Sequence, residues 1–322
     1  HAHAGVDKVY LVLAGAGTGK TRTIIGRAAH LIHTGVDPSR ILVMTFTRRA
    51  ARELSKRLET IVGPASAKVT AGTFHHFCHF TMRRMPRRFG IETATVMDGD
   101  DQVQLMKLAR GTVVVPKEKF PRASKLVKYY SYARNTNRQV REYLEKYTGR
   151  DAATIEKMCR VFVAYEDRKR KNSYLDFDYI LHRFAQVLHE RQDVRIQLAG
   201  LYDHILVDEM QDTNPLQWLI LDGLRDPAKL FCVGDDAQSI YAFRGADFQN
   251  VHSFAQRVPG SVVLKLQENY RSTQDILDVA NWLLRQSPLK YDKELRAHRG
   301  KGLMPRLVEC ESDLDEARWI AE

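Results

Sequence analysis

A glycine-rich segment near the start of the chain constrains the fold more than any other feature. Residues 14–21 read AGAGTGKT, follow the apolar run 9–14 and precede apolar residues at helical spacing. Glycines let backbone amides curl around a phosphate, and the start of a helix adds partial positive charge. In such a loop Lys20 reaches the β- and γ-phosphates and the Thr21 hydroxyl binds Mg²⁺. The segment predicts a nucleotide phosphate site, although Ala14 stands where the strict pattern has glycine.

An acidic pair much later in the chain supplies the partner that such a loop requires. The apolar run 204–207 is followed directly by Asp208 and Glu209. At the end of a buried strand, Asp208 would hold the metal, directly or through water, and Glu209 would polarise the attacking water. The long separation between Lys20 and Asp208 exceeds a minimal phosphate-loop domain and predicts an insertion between them.

Short apolar runs predict the strands of a buried parallel sheet. They occupy residues 9–14, 40–45, 68–71, 204–207, 229–233 and 261–266. Helical patterns follow the first two runs, and strand–helix alternation of this kind indicates a doubly wound α/β fold. We therefore predict a P-loop NTPase sheet.

The middle of the chain differs from both ends. Amphipathic stretches at 102–110, 140–147, 155–172 and 178–190 dominate it, with few strand signals. We expect a discontinuous nucleotide-binding domain of residues 1–75 and 201–268, a mostly helical insertion of residues 76–200, and the beginning of a second α/β domain at residues 269–322.

Charge is distributed unevenly along the chain. The net charge is +11, with +17 in residues 1–200 and −6 in residues 201–322. A basic surplus favours a polyanionic partner such as nucleic acid, but a solvated surface rich in lysine and arginine explains it equally well. No apolar run approaches the ~20 residues of a membrane span, so no membrane partner is expected. Four widely spaced cysteines indicate a reducing, cytoplasmic location.

The order of several further segments is specific to one family. Besides 14–21, these segments are 45–51, 72–75, 175–178, 207–214, 233–246 and 269–272. Together they resemble the superfamily 1 DNA helicases of the UvrD/Rep/PcrA group. The resemblance implies two RecA-like domains that close on ATP and Mg²⁺, each with helical insertions. It also implies 3′ to 5′ movement on single-stranded DNA, action at single-strand/duplex junctions, and a role in DNA repair, replication or recombination. Protein partners are not indicated.

The resemblance assigns roles to individual residues. Residues with nucleotide roles are Ala14, Gly15, Ala16, Gly17, Thr18, Gly19, Lys20 and Thr21 in the loop, Arg22 near the base or ribose, Tyr270 on the adenine, and Gln238 and Arg271 on the γ-phosphate. Those with DNA roles are the stacking aromatics Phe46, Tyr241 and Phe243, and the backbone or base contacts Thr47, Thr73, His75 and Arg244. Core packing is the alternative for each aromatic and is the expectation for Phe74 and Phe77.

Several departures from the family pattern bear on these expectations. Arg48 and Arg49 stand where Asn-Lys is usual, Met210 stands where an aromatic is common, and the adenine-reading glutamine motif is not visible in residues 1–10. The chain reaches Glu322 before the later motifs, so we expect an N-terminal fragment. As such it would bind ATP and DNA with little or no turnover. A P-loop kinase or another NTPase unrelated to DNA is a further alternative.

Overall fold

A six-stranded parallel sheet forms the centre of the protein. The computed structural model describes residues 2–242, 245–246, 249–287, 291 and 293–322. The sheet strands are β1 (Tyr10–Ala14), β2 (Ile41–Thr45), β3 (Thr70–Thr73), β6 (His204–Val207), β7 (Lys229–Gly234) and β8 (Val262–Leu266). Their order is β3-β2-β6-β7-β1-β8, and every neighbouring pair is parallel. The predicted α/β class is confirmed. The third strand begins later than the predicted 68–71 because Gly63–Lys68 form a 3-10 helix.

Four short elements complete the strands. They are β4 (Thr95–Val96) with β5 (Tyr174–Leu175), and β9 (Glu268–Asn269) with β10 (Arg296–Ala297), which form two parallel two-stranded sheets.

Helices follow most strands, as the periodicity predicts. They are α1 (Lys20–His33), α2 (Arg48–Val62), α3 (Phe74–Arg84), α4 (Pro86–Phe89), α5 (Gly99–Gly111), α6 (Ala123–Asn135), α7 (Val140–Tyr147), α8 (Ala152–Lys171), α9 (Phe177–Glu190), α10 (Gln192–Ala199), α11 (Pro215–Leu224), α12 (Gln249–His252), α13 (Phe254–Arg257), α14 (Gln274–Gln286) and α15 (Asp313–Ala321). Among the described residues, no helix has both the length and the apolar character needed to cross a membrane.

Alternating strand side chains fill two cores, one on each face of the sheet. Leu11, Leu13 and Met44 contribute to the core that α3, α9 and α11 cover, whereas Val12 and Val43 contribute to the core under α1 and α2. Successive residues of a strand point to opposite faces, so a sheet covered on both sides needs continuous apolar strands. This is why the apolar runs identified the strands.

The predicted insertion packs in two ways. Helices α5, α6, α7 and α8 enclose a separate core, which includes Leu126, Met158 and Phe162. By contrast α3, α9 and α10 contribute to the sheet core, with Phe77 and Phe184 in edge-to-face contact. The insertion is therefore attached to the sheet through α3 and α9 and carries its own hydrophobic centre on α5–α8.

A buried ionic cluster links the insertion helices. The Lys169 ammonium on α8 lies 2.7 Å from Asp176, which also accepts a hydrogen bond from the Tyr165 hydroxyl. Next to it, Asp178 accepts hydrogen bonds from Gln102 on α5 and from Asn135 on α6. Burial, followed by the nearby Asp176 charge, raises the pKa of Asp178. Because donors from α5, α6 and α8 bind the two carboxylates at the start of α9, the cluster fixes how these four helices meet.

The cluster predicts a large stability loss on removal of its cation. Lys169→Met leaves Asp176 buried without its ammonium partner, which we expect to cost about 3–5 kcal/mol. Urea unfolding followed by circular dichroism measures the change. Lys171→Met, at an exposed position two residues away, is the matched control and should stay within about 0.5 kcal/mol of the unmodified chain. Equal midpoints for the two variants would contradict the prediction.

Candidate functional site

The glycine-rich loop leaves β1 and turns directly into α1. Gly17 and Gly19 have φ of +78° and +95°, which residues with a side chain rarely adopt. The Thr18 hydroxyl and amide both donate to the Gly15 carbonyl, at 2.8 and 3.2 Å, and close the turn. The loop is therefore a tight backbone curve at a helix N-terminus, the geometry that binds phosphate.

An open cleft of about 460 Å³ lies over this loop. Its lining residues are Gly15, Ala16, Gly17, Gly19, Lys20, Thr21, Arg22, Glu53, Arg57, Glu209, Gln238, Tyr270 and Arg271. Most residues predicted for the nucleotide are thus brought together. Ala14 and Thr18 are buried beneath the cleft surface and shape the loop from behind.

The acidic pair emerges where β6 ends, beside the loop. Glu209 lies 3.3 Å from the Lys20 ammonium and accepts a hydrogen bond from Gln211 at 2.8 Å. Its backbone is left-handed, with φ of 52° and ψ of 49°. For a residue with a side chain this conformation costs on the order of 1–3 kcal/mol. The carboxylate is therefore held toward the loop by strained backbone, an ion pair and a hydrogen bond.

Asp208 lies deeper than Glu209. Burial, followed by the neighbouring Glu209 charge, raises the pKa of Asp208 to about 7. The same two causes raise the pKa of Asp212 to about 7. The Lys20 charge lowers both pKa values but does not outweigh burial, and a divalent cation would favour the ionised form further. The Thr21 hydroxyl and the Asp208 carboxylate offer oxygen atoms, the ligand type that Mg²⁺ prefers.

The segment after β8 closes over the loop. The Asn269 side-chain amide donates to the Ala16 carbonyl at 2.5 Å, and the Tyr270 backbone amide donates to the Gly17 carbonyl at 3.0 Å. A Cβ atom on Gly17 would lie 2.7 Å from the Cβ of Arg271. Glycine is required at position 17 by this close approach as well as by its positive φ. Tyr270 is about half exposed and lines the cleft, and its ring also contacts the His298 ring, with centroids 4.9 Å apart.

A second and larger cleft, of about 640 Å³, lies between the sheet edge and α6. Its lining residues are Thr45, Phe46, Thr73, Phe74, His75, Val127, Lys128, Ser131, Tyr132, Asn135, Asp212, Asn214 and Gln217. Three residues predicted to contact DNA, Phe46, Thr73 and His75, lie in this lining. Phe74 also touches it but is buried in the sheet core, as is Phe77, in agreement with the expectation of core packing.

Two of the predicted stacking aromatics meet at this cleft. The rings of Phe46 and Tyr241 have centroids 4.7 Å apart and planes inclined by 38°. Phe46 follows the end of β2, whereas Tyr241 follows β7, so the sheet brings together residues far apart in sequence. The other two predictions in this region, Phe243 and Arg244, fall outside the described residues.

Two predicted DNA contacts are also helix caps. The Thr47 hydroxyl accepts a hydrogen bond from the Ala50 amide at 3.1 Å, and Thr73 accepts one from His76 at 3.2 Å. Each hydroxyl keeps its own proton for donation, for example to a phosphate oxygen. Both caps begin helices at the carboxyl edge of the sheet, so two helix N-termini with partial positive charge start there.

His75 is neutral at physiological pH. Burial, with a smaller contribution from Arg48, lowers the pKa of His75 to about 4. Its ring lies edge-to-face against Phe177, with centroids 5.9 Å apart. His75 therefore offers a hydrogen bond or a ring face at this cleft rather than a positive charge.

Sequence reasoning assigned no role to two residues that organise the nucleotide cleft. Gln211 bridges Glu209 to the Asp235 backbone amide, and Asn269 holds both the loop carbonyl at Ala16 and the Arg271 amide. Both residues lie in motif segments, so their positions were visible, but their partners depend on the folded chain. The α6 wall of the second cleft, with Lys128, Ser131 and Asn135, gave no signal in the sequence.

Comparison with known proteins agrees with this geometry. Residues 1–259 match the family model of the UvrD/REP helicase N-terminal domain. The chain is 33% identical over 315 residues to the ATP-dependent DNA helicase PcrA of Leuconostoc citreum and 32% identical over 319 residues to PcrA of Bacillus subtilis. These alignments cover 96% and 98% of this chain but 41% and 42% of the relatives.

A third relative shows the same proportions. The probable DNA helicase II homologue of Mycoplasma capricolum is 30% identical, over 98% of this chain and 44% of its own length. The chain thus spans less than half the length of the curated relatives it matches. It belongs to the UvrD/Rep helicase family, and its residues 1–259 match the N-terminal domain of that family.

Proposed function

We propose that this chain is the ATP- and DNA-binding part of a helicase or translocase that moves 3′ to 5′ on single-stranded DNA. The observation that carries the proposal is the meeting of Lys20, Glu209, Gln238 and Arg271 in one cleft at the carboxyl edge of the sheet. A second cleft with aromatic and hydroxyl side chains begins at the same edge. The direction of movement rests on the family resemblance, as do action at duplex junctions and a role in repair, replication or recombination.

The position of each group supports the nucleotide roles that the family resemblance implies. The loop amides and Lys20 bind the β- and γ-phosphates, and Arg271 stabilises the charge that develops on the transferred phosphoryl group. Tyr270 stacks on the adenine, with Arg22 beside it. Bound Mg²⁺, held by Thr21 and Asp208, would neutralise phosphate charge. Gln238 contacts the γ-phosphate and is sensitive to its loss.

The ion pair of Lys20 with Glu209 bears on how the base is activated. The ammonium and the carboxylate neutralise each other at 3.3 Å. A γ-phosphate competes for Lys20, and its arrival frees Glu209 to accept a proton from water. Strained backbone at Glu209 keeps the carboxylate aimed at the cleft when the ion pair is lost. Binding of the γ-phosphate therefore frees Glu209 to act as the general base.

The second cleft suits a flexible polyanion with flat bases. The Phe46 and Tyr241 rings offer stacking surfaces that tolerate any base, and the α2 and α3 N-termini attract phosphates. Because the two rings are already in contact, a base either separates them or stacks on an outer face. The second cleft therefore favours a DNA-binding protein over a kinase or another NTPase unrelated to DNA.

Turnover tests the nucleotide roles. In a longer protein that contains this chain, we expect Lys20→Ala to abolish nucleotide binding, whereas Glu209→Gln retains binding and lowers DNA-stimulated ATPase by roughly 10²–10⁴-fold. A coupled assay of ATP hydrolysis and fluorescence titration with labelled nucleotide measure the two effects. Lys107→Ala, exposed on α5, is the control. Wild-type turnover in either site variant would refute the assignment.

The same assay separates hydrolysis from binding alone. If residues 1–322 bind ATP and DNA without appreciable turnover, their ATPase rate is far below that of the longer protein at equal nucleotide occupancy. Equal rates would refute the binding-only alternative.

Strand binding tests the second cleft. Phe46→Ala removes one stacking surface and should weaken binding to an oligo-dT strand by about 1–3 kcal/mol. Phosphate contacts remain, so the dependence of log affinity on log salt concentration should keep its slope. Fluorescence anisotropy at several salt concentrations measures both quantities. Trp319→Ala, an exposed aromatic on α15, is the control; equal affinities for the two variants would contradict a stacking role for Phe46.

A further inference from the structure

A buried lysine beyond the recognised motifs forms ion pairs with two acidic residues that follow β7. The Lys293 ammonium lies 2.8 Å from an Asp235 oxygen and 2.6 Å from an Asp236 oxygen. The three side chains are 1%, 3% and 4% exposed, respectively. Burial alone would lower the pKa of Lys293, but the two carboxylates outweigh it and raise the pKa, so the lysine is charged. Removing an ammonium group and two carboxylates from water costs desolvation free energy. We therefore expect this cluster to have a role beyond stability.

The partner carboxylate Asp235 holds a residue of the cleft. Its second oxygen accepts a hydrogen bond from the Gln238 side-chain amide at 2.5 Å, and Gln238 lines the nucleotide cleft. The Asp235 backbone amide in turn donates to Gln211, which bonds Glu209. Lys293 is thus two contacts from Gln238 and is connected through Asp235 to the base beside Lys20.

The chain around Lys293 also touches the phosphate loop. A Cβ atom on Gly15 would lie 2.7 Å from a methyl group of Leu295. Asn281 on α14 fixes Leu295 by a reciprocal pair of hydrogen bonds, each of 2.9 Å. The next two residues form β10, which pairs with β9. Asn269 of β9 donates a hydrogen bond to the Ala16 carbonyl. Residues 293–297, which we call the docking segment, therefore contact Asp235, the phosphate loop at Gly15, and β9.

We propose that Lys293 is a positioning residue for γ-phosphate recognition: it fixes Asp235, and through it the amide of Gln238, when the docking segment lies against the sheet edge. The inference rests on the proposed function, since it deepens the role of Gln238 in the nucleotide cleft. Undocking of this segment removes the cation from Asp235 and frees the Gln238 side chain. Recognition of the γ-phosphate by Gln238 therefore depends on docking of residues 293–297.

A purely structural role is the competing explanation. In that case Lys293 only neutralises two buried carboxylates, and its loss weakens every ligand of the cleft equally. A positioning role instead affects ATP more than ADP, because Gln238 acts on the γ-phosphate alone. The ratio of the two affinities separates the explanations.

The experiment measures binding of labelled ADP and of a non-hydrolysable ATP analogue, both with Mg²⁺, to the 322-residue chain. We expect Lys293→Met to weaken the ATP analogue about tenfold relative to ADP, the size of one lost hydrogen bond to a charged group. Lys293→Arg should retain most of the selectivity because the charge remains. Lys301→Met, an exposed lysine in the same part of the chain, is the matched control and should behave as wild type.

A double-mutant cycle tests the route through Gln238. If Lys293 acts through Gln238, then Lys293→Met adds less than about twofold in a Gln238→Ala background, since coupled residues are not additive. Equal weakening of ADP and the ATP analogue, or full additivity in the cycle, would overturn the inference. Failure of the wild-type chain to bind either nucleotide would instead refute the proposed function.

A charge-matched variant covers the case in which Lys293→Met does not fold. Lys293→Met with Asp236→Asn removes one positive and one negative charge, so the cluster keeps its net charge. Asp235 retains hydrogen bonds from Gln238 and from the Ala237 amide at 3.2 Å. Circular dichroism checks folding. The double variant should show the same loss of selectivity, and wild-type selectivity would overturn the inference.

Discussion

The parallel register of three neighbouring strands is the constraint on which the rest of the structure depends. Leu13 of β1 lies opposite Gly234 of β7, and Val207 of β6 lies opposite Cys232. The three strands therefore leave the sheet at one edge, where ligands of open α/β sheets bind. The strand register alone therefore brings the phosphate loop, the acidic pair and Asp235 together at this edge. A slip of one residue would invert the buried faces and separate all three.

Charge at this edge is arranged so that the acids come from the strand ends and the cations from elsewhere. Asp208 and Asp235 follow β6 and β7, whereas Lys20 opens α1 and Lys293 belongs to the docking segment. Burial, followed by the Glu209 charge, raises the pKa of Asp208 to about 7, and the Lys20 charge offsets only part of this rise. A site in this condition favours a metal–phosphate ligand over a free anion. Asp208, Glu209, Asp235 and Asp236 bring acidic charge of residues 201–322 to this edge, and Lys20 and Lys293 offset part of it.

Sequence patterns located the elements whose chemistry leaves little choice of residue. The strand β6 lies at the predicted residues 204–207, because a strand covered on both faces must be apolar throughout. The start of β3 and the whole of α6 were missed. A 3-10 helix occupies the residues before β3, and α6 mixes tyrosine, serine and lysine with few aliphatic residues. Lys293 gave no signal, since its partners lie more than fifty residues earlier and meet it only in the folded chain.

Residues of one short segment, 209–214, line both clefts. Glu209 lines the nucleotide cleft, whereas Asp212 and Asn214 line the second cleft. The 3-10 helix Met210–Asp212 between them is buried, so it cannot absorb movement by swinging into solvent. Packed segments of this kind change between discrete arrangements rather than deforming continuously. We infer that a shift of Glu209, when a phosphate draws Lys20 away, reaches the second cleft through these few residues. Under the proposed function, coupling between ATP hydrolysis and DNA binding then needs no long pathway through the sheet.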